Sequence, residues 1–462
     1  MNELDNNELD DRDRSIVDVK ALIDDQAMVA AQWMILILCF LVLIADGFDT
    51  AAMAFVAPSL IHELGISKLV LGPVLSAALI GLAAGALIAG PVADRVGRKR
   101  VLIVSVMLFS LASLGSAFAH TVAVLGVLRF LTGLGIGAAM PSCITLVSEF
   151  VPSKRRGFLT NLMFVGFPLG ASAGGFMAAG LIPRYGWRSV FVVGGGPPLL
   201  LGLLLLLLLP ESVSFMAVRR WPVEKVRASL LRLFRSHASA RARIESAREF
   251  YIQEPAPRGG ASALAVLLAP ELRFGTLMLW TAYFMGLLLY YLLTNWMPTL
   301  VRESGHTISD AATVTALFPL GGGIGALICG WLMDRVNATR VVCAAYALTA
   351  ILLVVLSRAT GAIGTLMAVT FMAGIAMNGA QTSMPVLAAE TYPTLGRASG
   401  VSWMLGIGRL GGILGALGGG VLLQAGYGMS VIILDLAGVA LLAAAALLVK
   451  AMFAPAVAVR RI

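Results

Sequence analysis

Charge is what this sequence has least of. Only 13% of its 462 residues are Asp, Glu, Lys or Arg, while 59% are hydrophobic and the mean hydropathy is +0.90. Soluble domains carry roughly a quarter charged residues. So little charge cannot cover a surface that faces water, which excludes a soluble enzyme as well as a disordered, coiled-coil or collagen-like chain. Cysteine is also scarce. Cys39, Cys143, Cys329 and Cys343 sit in apolar stretches without a C-x-x-C pair, so neither a disulfide framework nor a structural zinc is expected. His62, His120, His237 and His306 are far apart, and no metal site or cofactor is anticipated. The first residues do not read as a signal peptide either. Met1 to about Asp25 is acidic, with Asp5, Glu8, Asp10, Asp11 and Asp13 close together. It lacks a basic start and an apolar core, and residues 1–32 read as a disordered cytoplasmic tail.

What is present is long apolar runs. A bilayer core about 30 Å thick needs roughly 20 apolar residues to cross. Twelve such runs occur, at 33–57, 71–93, 101–119, 122–145, 158–180, 188–209, 274–296, 311–333, 341–357, 361–386, 399–423 and 429–450. The expected fold is therefore an all-α membrane protein of twelve helices in two six-helix halves, 33–209 and 273–450. A polar linker, 210–272, joins them, and 451–462 forms a C-terminal tail. Loops 2–3, 4–5, 8–9 and 10–11 hold Arg95, Arg98, Lys99, Arg100, Lys154, Arg155, Arg156, Arg335, Arg340 and Arg397. The opposite loops hold only Lys68, Arg184, Arg188, Arg302 and Arg358. Basic loops stay in the cytoplasm, so both termini and the Arg-rich linker are expected there. The net charge of +9 is then a topology signal, and no nucleic-acid partner is expected. The linker's amphipathic stretches, such as Ala228 to Phe234, suit an anionic membrane surface.

The halves repeat each other. Gly90-Pro-Val-Ala-Asp94-Arg95-Val-Gly97-Arg98-Lys99-Arg100 follows span 2, and Gly330-Trp-Leu-Met-Asp334-Arg335 follows span 8. Glu149-Phe-Val-Pro152 with Arg156 follows span 4, and Glu390-Thr-Tyr-Pro393 with Arg397 follows span 10. Both pairs are displaced by about the same distance along the chain, as parallel repeats require.

These motifs resemble the major facilitator superfamily. G-x-x-x-D-R-x-G-R-[KR]-[KR] between spans 2 and 3 is that superfamily's signature, and Pro210-Glu211-Ser212 at the end of span 6 occurs in many members. Asp46-Gly47-Phe48-Asp49 in span 1 is similar to the D-G-F-D of the aromatic acid:proton symporters. The resemblance implies a bacterial inner-membrane carrier with spans 1, 4, 7 and 10 around its cavity. It also implies a cytoplasmic gate built from Gly90, Asp94, Arg95, Gly97, Arg98, Glu149, Arg156, Asp334, Arg335, Glu390 and Arg397. The partners implied are a small aromatic carboxylate such as 4-hydroxybenzoate or protocatechuate, protons and the lipid bilayer, with a monomeric carrier.

Charges inside the spans carry the rest. Each is costly there, faces the bundle interior and seeks a partner. Asp46, Asp49, Arg129 and Arg409 stand out, with Asp435 a weaker case. Asp46 and Asp49 share one helix face, about 4.5 Å apart in rise. Asp49 and Arg129 each lie about 13 Å from the outer end of their span and can meet. Desolvation favours the neutral form of a carboxyl, which makes Asp46 and Asp49 the candidate proton site. A buried arginine matches a substrate carboxylate, which makes Arg129 or Arg409 the candidate anchor. An Asp49–Arg129 pair that serves registry alone is the competing reading. Asn378 and Gln381 in span 10, Tyr290 in span 7 and Phe167 in span 5 are candidates to hold the ring and its hydroxyls. Trp296 reads as interfacial belt. Gly81–Gly85, Gly133–Gly137, Gly170–Gly174 and Gly411–Gly415 read as close-approach points of helices. Gly170 to Gly174 also fits the G-x-S-x-G hydrolase pattern, but no strand precedes it and no His is near, so no enzyme is expected. Two rival functions remain at this stage. One is a drug:proton antiporter of the same fold, for which Gly166-Phe-Pro168-Leu-Gly170 is a distorted motif. The other is a non-transporting membrane sensor.

Overall fold

The structure is a computed structural model and describes residues 16–235, 237–251, 270, 272–333, 335–359, 362–392 and 397–453. Among them, twelve helices are long and apolar enough to cross a membrane. Spans 1 to 6 are Ala30–Glu63, Lys68–Ala93, Arg98–Ser116, Val122–Phe150, Ser153–Tyr185 and Arg188–Leu208. Spans 7 to 12 are Arg273–Glu303, Ile308–Met333, Ala338–Arg358, Ile363–Thr391, Gly400–Gln424 and Met429–Met452. The chain is a multi-pass membrane protein.

Local chemistry sets the ends. Gly65 takes the left-handed conformation that stops span 1. Ser67, Thr121 and Asn337 cap spans 2, 4 and 9 by accepting the N–H of Val70, Val124 and Arg340. Span 5 is interrupted: one helix runs Arg156–Phe164 and the next begins at Gly166. Pro168 has no N–H for the Phe164 carbonyl four residues back, and the break falls there.

The repeat seen in sequence is built into the helix contacts. Gly81 and Gly85 of span 2 press on the carbonyls of Phe130 and Leu134 in span 4, so that a side chain at either would collide with them. Gly321 and Gly325 of span 8 press on those of Phe371 and Ile375 in span 10 in the same way. Gly170 meets the Ile44 carbonyl between spans 5 and 1, and Gly411 meets the Phe284 carbonyl between spans 11 and 7. Each half thus repeats one set of close pairings.

The halves meet through spans 2 and 11 and through spans 5 and 8. Ser76 Oγ donates to the Ile413 carbonyl at 3.4 Å, and Gly72 lies against Leu417. Gly175 lies against Ala312 and Ala316. Lys68 Nζ is 2.5 Å from Glu303 Oε1. All of these contacts lie in the parts of the spans farthest from the linker.

Two expectations are corrected at the linker face. Residues 16–25 are structured. Strand β1 (Ile16–Asp18) pairs in parallel with β2 (Glu249–Tyr251) at the far end of the linker, and the helix Val19–Asp24 follows it. The amphipathic helix Val223–Leu233 also buries its apolar face against protein. Val226, Leu230 and Leu233 are buried in one cluster with Val17, Leu22 and Ile23, and with Ile35, Phe150 and Leu159 of the first half. Asp24 Oδ1 accepts the Ser153 N–H at 2.6 Å, and Asp25 pairs with Arg243 at 3.3 Å. An apolar stripe can be covered by protein as readily as by lipid, and the N-terminal segment supplies that cover. Residues 254–260, the Pro/Gly-rich end of the linker, lie outside the described residues.

Candidate functional site

Between the halves lies a cavity lined among others by Asp49, Thr50, Arg129, Tyr291 and Asn295. A second space adjoins it, lined by Gly47, Thr50, Ala51, Phe167, Ala171, Tyr290, Tyr291, Thr294 and Asn295. Thr50, Tyr291 and Asn295 belong to both. Spans 1 and 7 therefore form its shared wall.

Asp49 and Arg129 meet, as their depths allowed. Arg129 Nη1 donates to Asp49 Oδ2 at 3.0 Å, and both side chains are at most 2% exposed. Ser113 Oγ donates to Asp49 Oδ1 at 2.5 Å. Arg129 Nη2 donates to Ser116 Oγ at 3.1 Å and to Thr132 Oγ1 at 3.0 Å. The guanidinium also lies over the Phe191 ring at 4.8 Å. Each charge is neutralised by the other and held by further hydroxyl hydrogen bonds, although Arg129 Nε is buried without a partner among the described residues.

Asp46 differs. It is 1% exposed, and its described contact is one hydrogen bond from Thr50 Oγ1 at 3.1 Å. Among the described residues no cation pairs with it. The structure thus separates the two carboxylates: Asp49 has a counter-ion and Asp46 has none.

Arg409 in span 11 is half-buried, and among the described residues it has no hydrogen-bond or ion-pair partner. It lies within electrostatic reach of the Tyr283 and Tyr291 hydroxyls. Tyr290 and Phe167 line the cavity, and Tyr290 packs edge-on to Tyr291 with centroids 5.2 Å apart. Asn378, Gln381 and Arg409 are not among the lining residues. Asn378 Nδ2 donates to the carbonyls of Phe318 and Gly374, at 3.4 and 3.2 Å, and so serves the span 8–span 10 contact. Gln381 Oε1 accepts the Tyr346 hydroxyl at 2.7 Å. Trp296 is not an interfacial belt residue: it is fully buried, donates from Nε1 to the Ala416 carbonyl at 2.8 Å, and is flanked by Gly419 and Gly420.

At the linker face the expected gate residues divide. Glu149 accepts the Ser212 hydroxyl, and its Oε1 is 3.6 Å from Arg98 Nε. Glu211 Oε1 accepts the backbone N–H of Lys99 at 3.1 Å, at the N-terminus of span 3. The same carboxylate sits against Gly97, whose φ of +104° favours glycine. Pro210-Glu211-Ser212 is thus the partner of the span 2–3 motif. Arg156 Nη2 donates to Ser153 Oγ at 3.2 Å, and Arg335 stacks on Trp331 at 3.9 Å. Gly90 has open space where a side chain would be, Arg95 is exposed, and so is Glu390. Asp94 and Arg397 lie on helices, their side chains outside the description, and Asp334 lies outside the described residues.

Sequence reasoning missed Thr50, Ser113, Ser116, Thr132 and Tyr346. One signal existed. Ser110, Ser113 and Ser116 recur every three residues in span 3 and are all fully buried, a polar stripe in an apolar helix.

Two pseudo-symmetric six-span halves around a central cavity that holds a buried ion pair define the architecture of a secondary carrier. The chain belongs to the Major Facilitator Superfamily, whose family profile matches residues 38–307 and 279–460. It is a transporter and not an enzyme. It is 47% identical over 413 residues to the gallate transporter of Pseudomonas putida, covering 89% of this chain and 90% of that one. It is 46% identical over 434 residues to the 4-hydroxybenzoate transporter PcaK of Pseudomonas aeruginosa, covering 94% and 96%. The inward open conformation of the xylose transporter XylE from E. coli superposes with a TM-score of 0.69 at 17% identity, covering 92% and 96%, a likeness of fold.

Proposed function

We propose that this protein is a proton-coupled importer of small aromatic carboxylates. It would work by alternating access in the bacterial inner membrane, with both termini and the linker in the cytoplasm. The observation that carries the reading is Asp46, a carboxyl buried beside the cavity between the halves with a single hydroxyl partner. Closing a dry site over an unpaired carboxylate is costly, whereas closing it over a neutral carboxyl is not. The carrier therefore closes with a proton on Asp46 and releases it where water enters. Arg129 is committed to Asp49, so Arg409 is the cation left for the substrate carboxylate. The same logic couples the substrate: Arg409 is neutralised in the closed site only when an anion is bound. Phe167, Tyr290 and Tyr291 supply ring faces for an aromatic body. The contacts that join the halves lie away from the linker, which supports an inward-open reading of this arrangement. Relatives named for gallate and 4-hydroxybenzoate support the substrate class.

The test is uptake of labelled 4-hydroxybenzoate by whole cells, with and without a protonophore. Protonophore should abolish accumulation. Asp46→Asn should abolish accumulation while retaining exchange of labelled for unlabelled substrate. Uptake indifferent to the protonophore rejects proton coupling, and an Asp46→Asn carrier that still accumulates substrate removes Asp46 from the proton path.

A further inference from the structure

One buried polar group in the second half has an atom to spare. Gln381 is 8% exposed, and its Oε1 accepts the Tyr346 hydroxyl at 2.7 Å, while Nε2 is buried with no hydrogen-bond partner. Such donors are rarely left unpaired, because each forfeits its bonds to water. Gly286 makes room for the pair: a side chain there would collide with both Gln381 Oε1 and the Tyr346 hydroxyl. Gly286 stands four residues before Tyr290, which lines the cavity, so the amide sits about 6 Å along span 7 from that ring. The hydroxyl of Tyr283, a further turn down the same helix, faces the amide without completing a hydrogen bond to it, and it lies within electrostatic reach of Arg409. Gly408, next to Arg409, packs on the Tyr283 ring. Spans 7, 9, 10 and 11 thus converge on an amide nitrogen and a guanidinium that complete no hydrogen bond among the described residues.

We propose that Gln381 reads a hydroxyl on the aromatic ring of the substrate, and that Tyr346 is the positioning residue that holds the amide for it. This rests on the reading of the protein as an aromatic carboxylate carrier. With Oε1 held by Tyr346, Nε2 is presented to a phenolic oxygen. If the amide turned over, its free oxygen would accept the phenol O–H instead. A phenol both donates and accepts, so a hydroxyl satisfies the amide either way. An unsubstituted ring leaves it orphaned, and a site built to bond a hydroxyl discriminates against the analogue that lacks it.

The test compares 4-hydroxybenzoate with benzoate, each as labelled substrate or as competitor, in cells carrying the full chain. Gln381→Met should raise KM for 4-hydroxybenzoate about fivefold to tenfold, the worth of one net hydrogen bond, with little change in maximal rate. Its affinity for benzoate should stay within about twofold of wild type. Tyr346→Phe should move selectivity the same way by a smaller factor. Equal shifts for both acids, or none, overturn the inference while uptake by the wild type still upholds the carrier reading. If Gln381→Met abolishes handling of both acids, Tyr346→Phe decides: lost selectivity supports the inference and unchanged selectivity overturns it. A wild-type chain that handles neither acid overturns the carrier reading and this inference with it.

Discussion

Asp46 and Asp49 stand three residues apart and should respond oppositely to the same substitution. Asp49→Asn leaves the buried Arg129 guanidinium without its counter-ion, a loss of about 3–5 kcal/mol where buried pairs have been broken. Thermal unfolding of the detergent-purified protein should show a large drop in midpoint. Asp46→Asn orphans no cation and disturbs one hydroxyl bond, worth about 1 kcal/mol, so its midpoint should lie close to wild type although coupling is lost. Equal destabilisation by the two would contradict the division of roles. These charges were legible in the sequence because ionised groups are expensive in a span and cannot be there idly. Ser113, Ser116 and Thr132 were not. A helical serine or threonine can satisfy itself on its own backbone, as Ser116 does on Ala112 and Thr132 does on Leu128. Its presence in a span therefore announces nothing. Trp296 misled for the reverse reason: position near a helix end suggests a belt, while the slot at Gly419 and Gly420 that receives it is on another helix.

At the scale of elements, local rules placed the spans well and said less about what covers them. The break in span 5 follows from Pro168, yet the linker helix Val223–Leu233 shows only that it has an apolar side. Its partner is the segment after Ile16, more than two hundred residues earlier, and no local pattern links them. The turn at Gly97 yields a prediction at this scale. Gly97 has φ +104° and carries the Glu211 carboxylate against its α-carbon. Gly97→Ala adds both backbone strain, about 1–3 kcal/mol, and a collision. Glu211→Gln keeps the shape but weakens the charge-assisted bond to the Lys99 N–H. Gly97→Ala should therefore lower both thermal stability and initial uptake rate, and Glu211→Gln should do so to a smaller degree. Measuring both quantities on both variants checks the order, and a Gly97→Ala protein at least as stable as wild type contradicts it.

For the molecule as a whole, the two halves touch on the side of the cavity away from the linker through contacts that include those at Gly72, Ser76, Gly175 and Lys68. Alternating access requires those contacts to open once in every cycle. A built β-carbon at Gly72 would lie 3.6 Å from the Leu417 α-carbon, which keeps the two α-carbons close enough for a disulfide to bridge. Gly72→Cys with Leu417→Cys, in a chain whose four native cysteines are replaced by serine or alanine, should cross-link under mild oxidation. The cross-linked carrier should bind substrate from the linker side but take up none, and reduction should restore uptake. Added substrate and an inward proton gradient should slow cross-linking, because both favour states in which the outer contacts part. Lys68→Ala removes the Lys68–Glu303 pair, which is partly exposed and worth about 0–1 kcal/mol, so it should slow cross-linking slightly without abolishing it. Unimpaired uptake by a fully cross-linked protein would mean that this side never opens, and the rocking of two repeated halves would have to be given up.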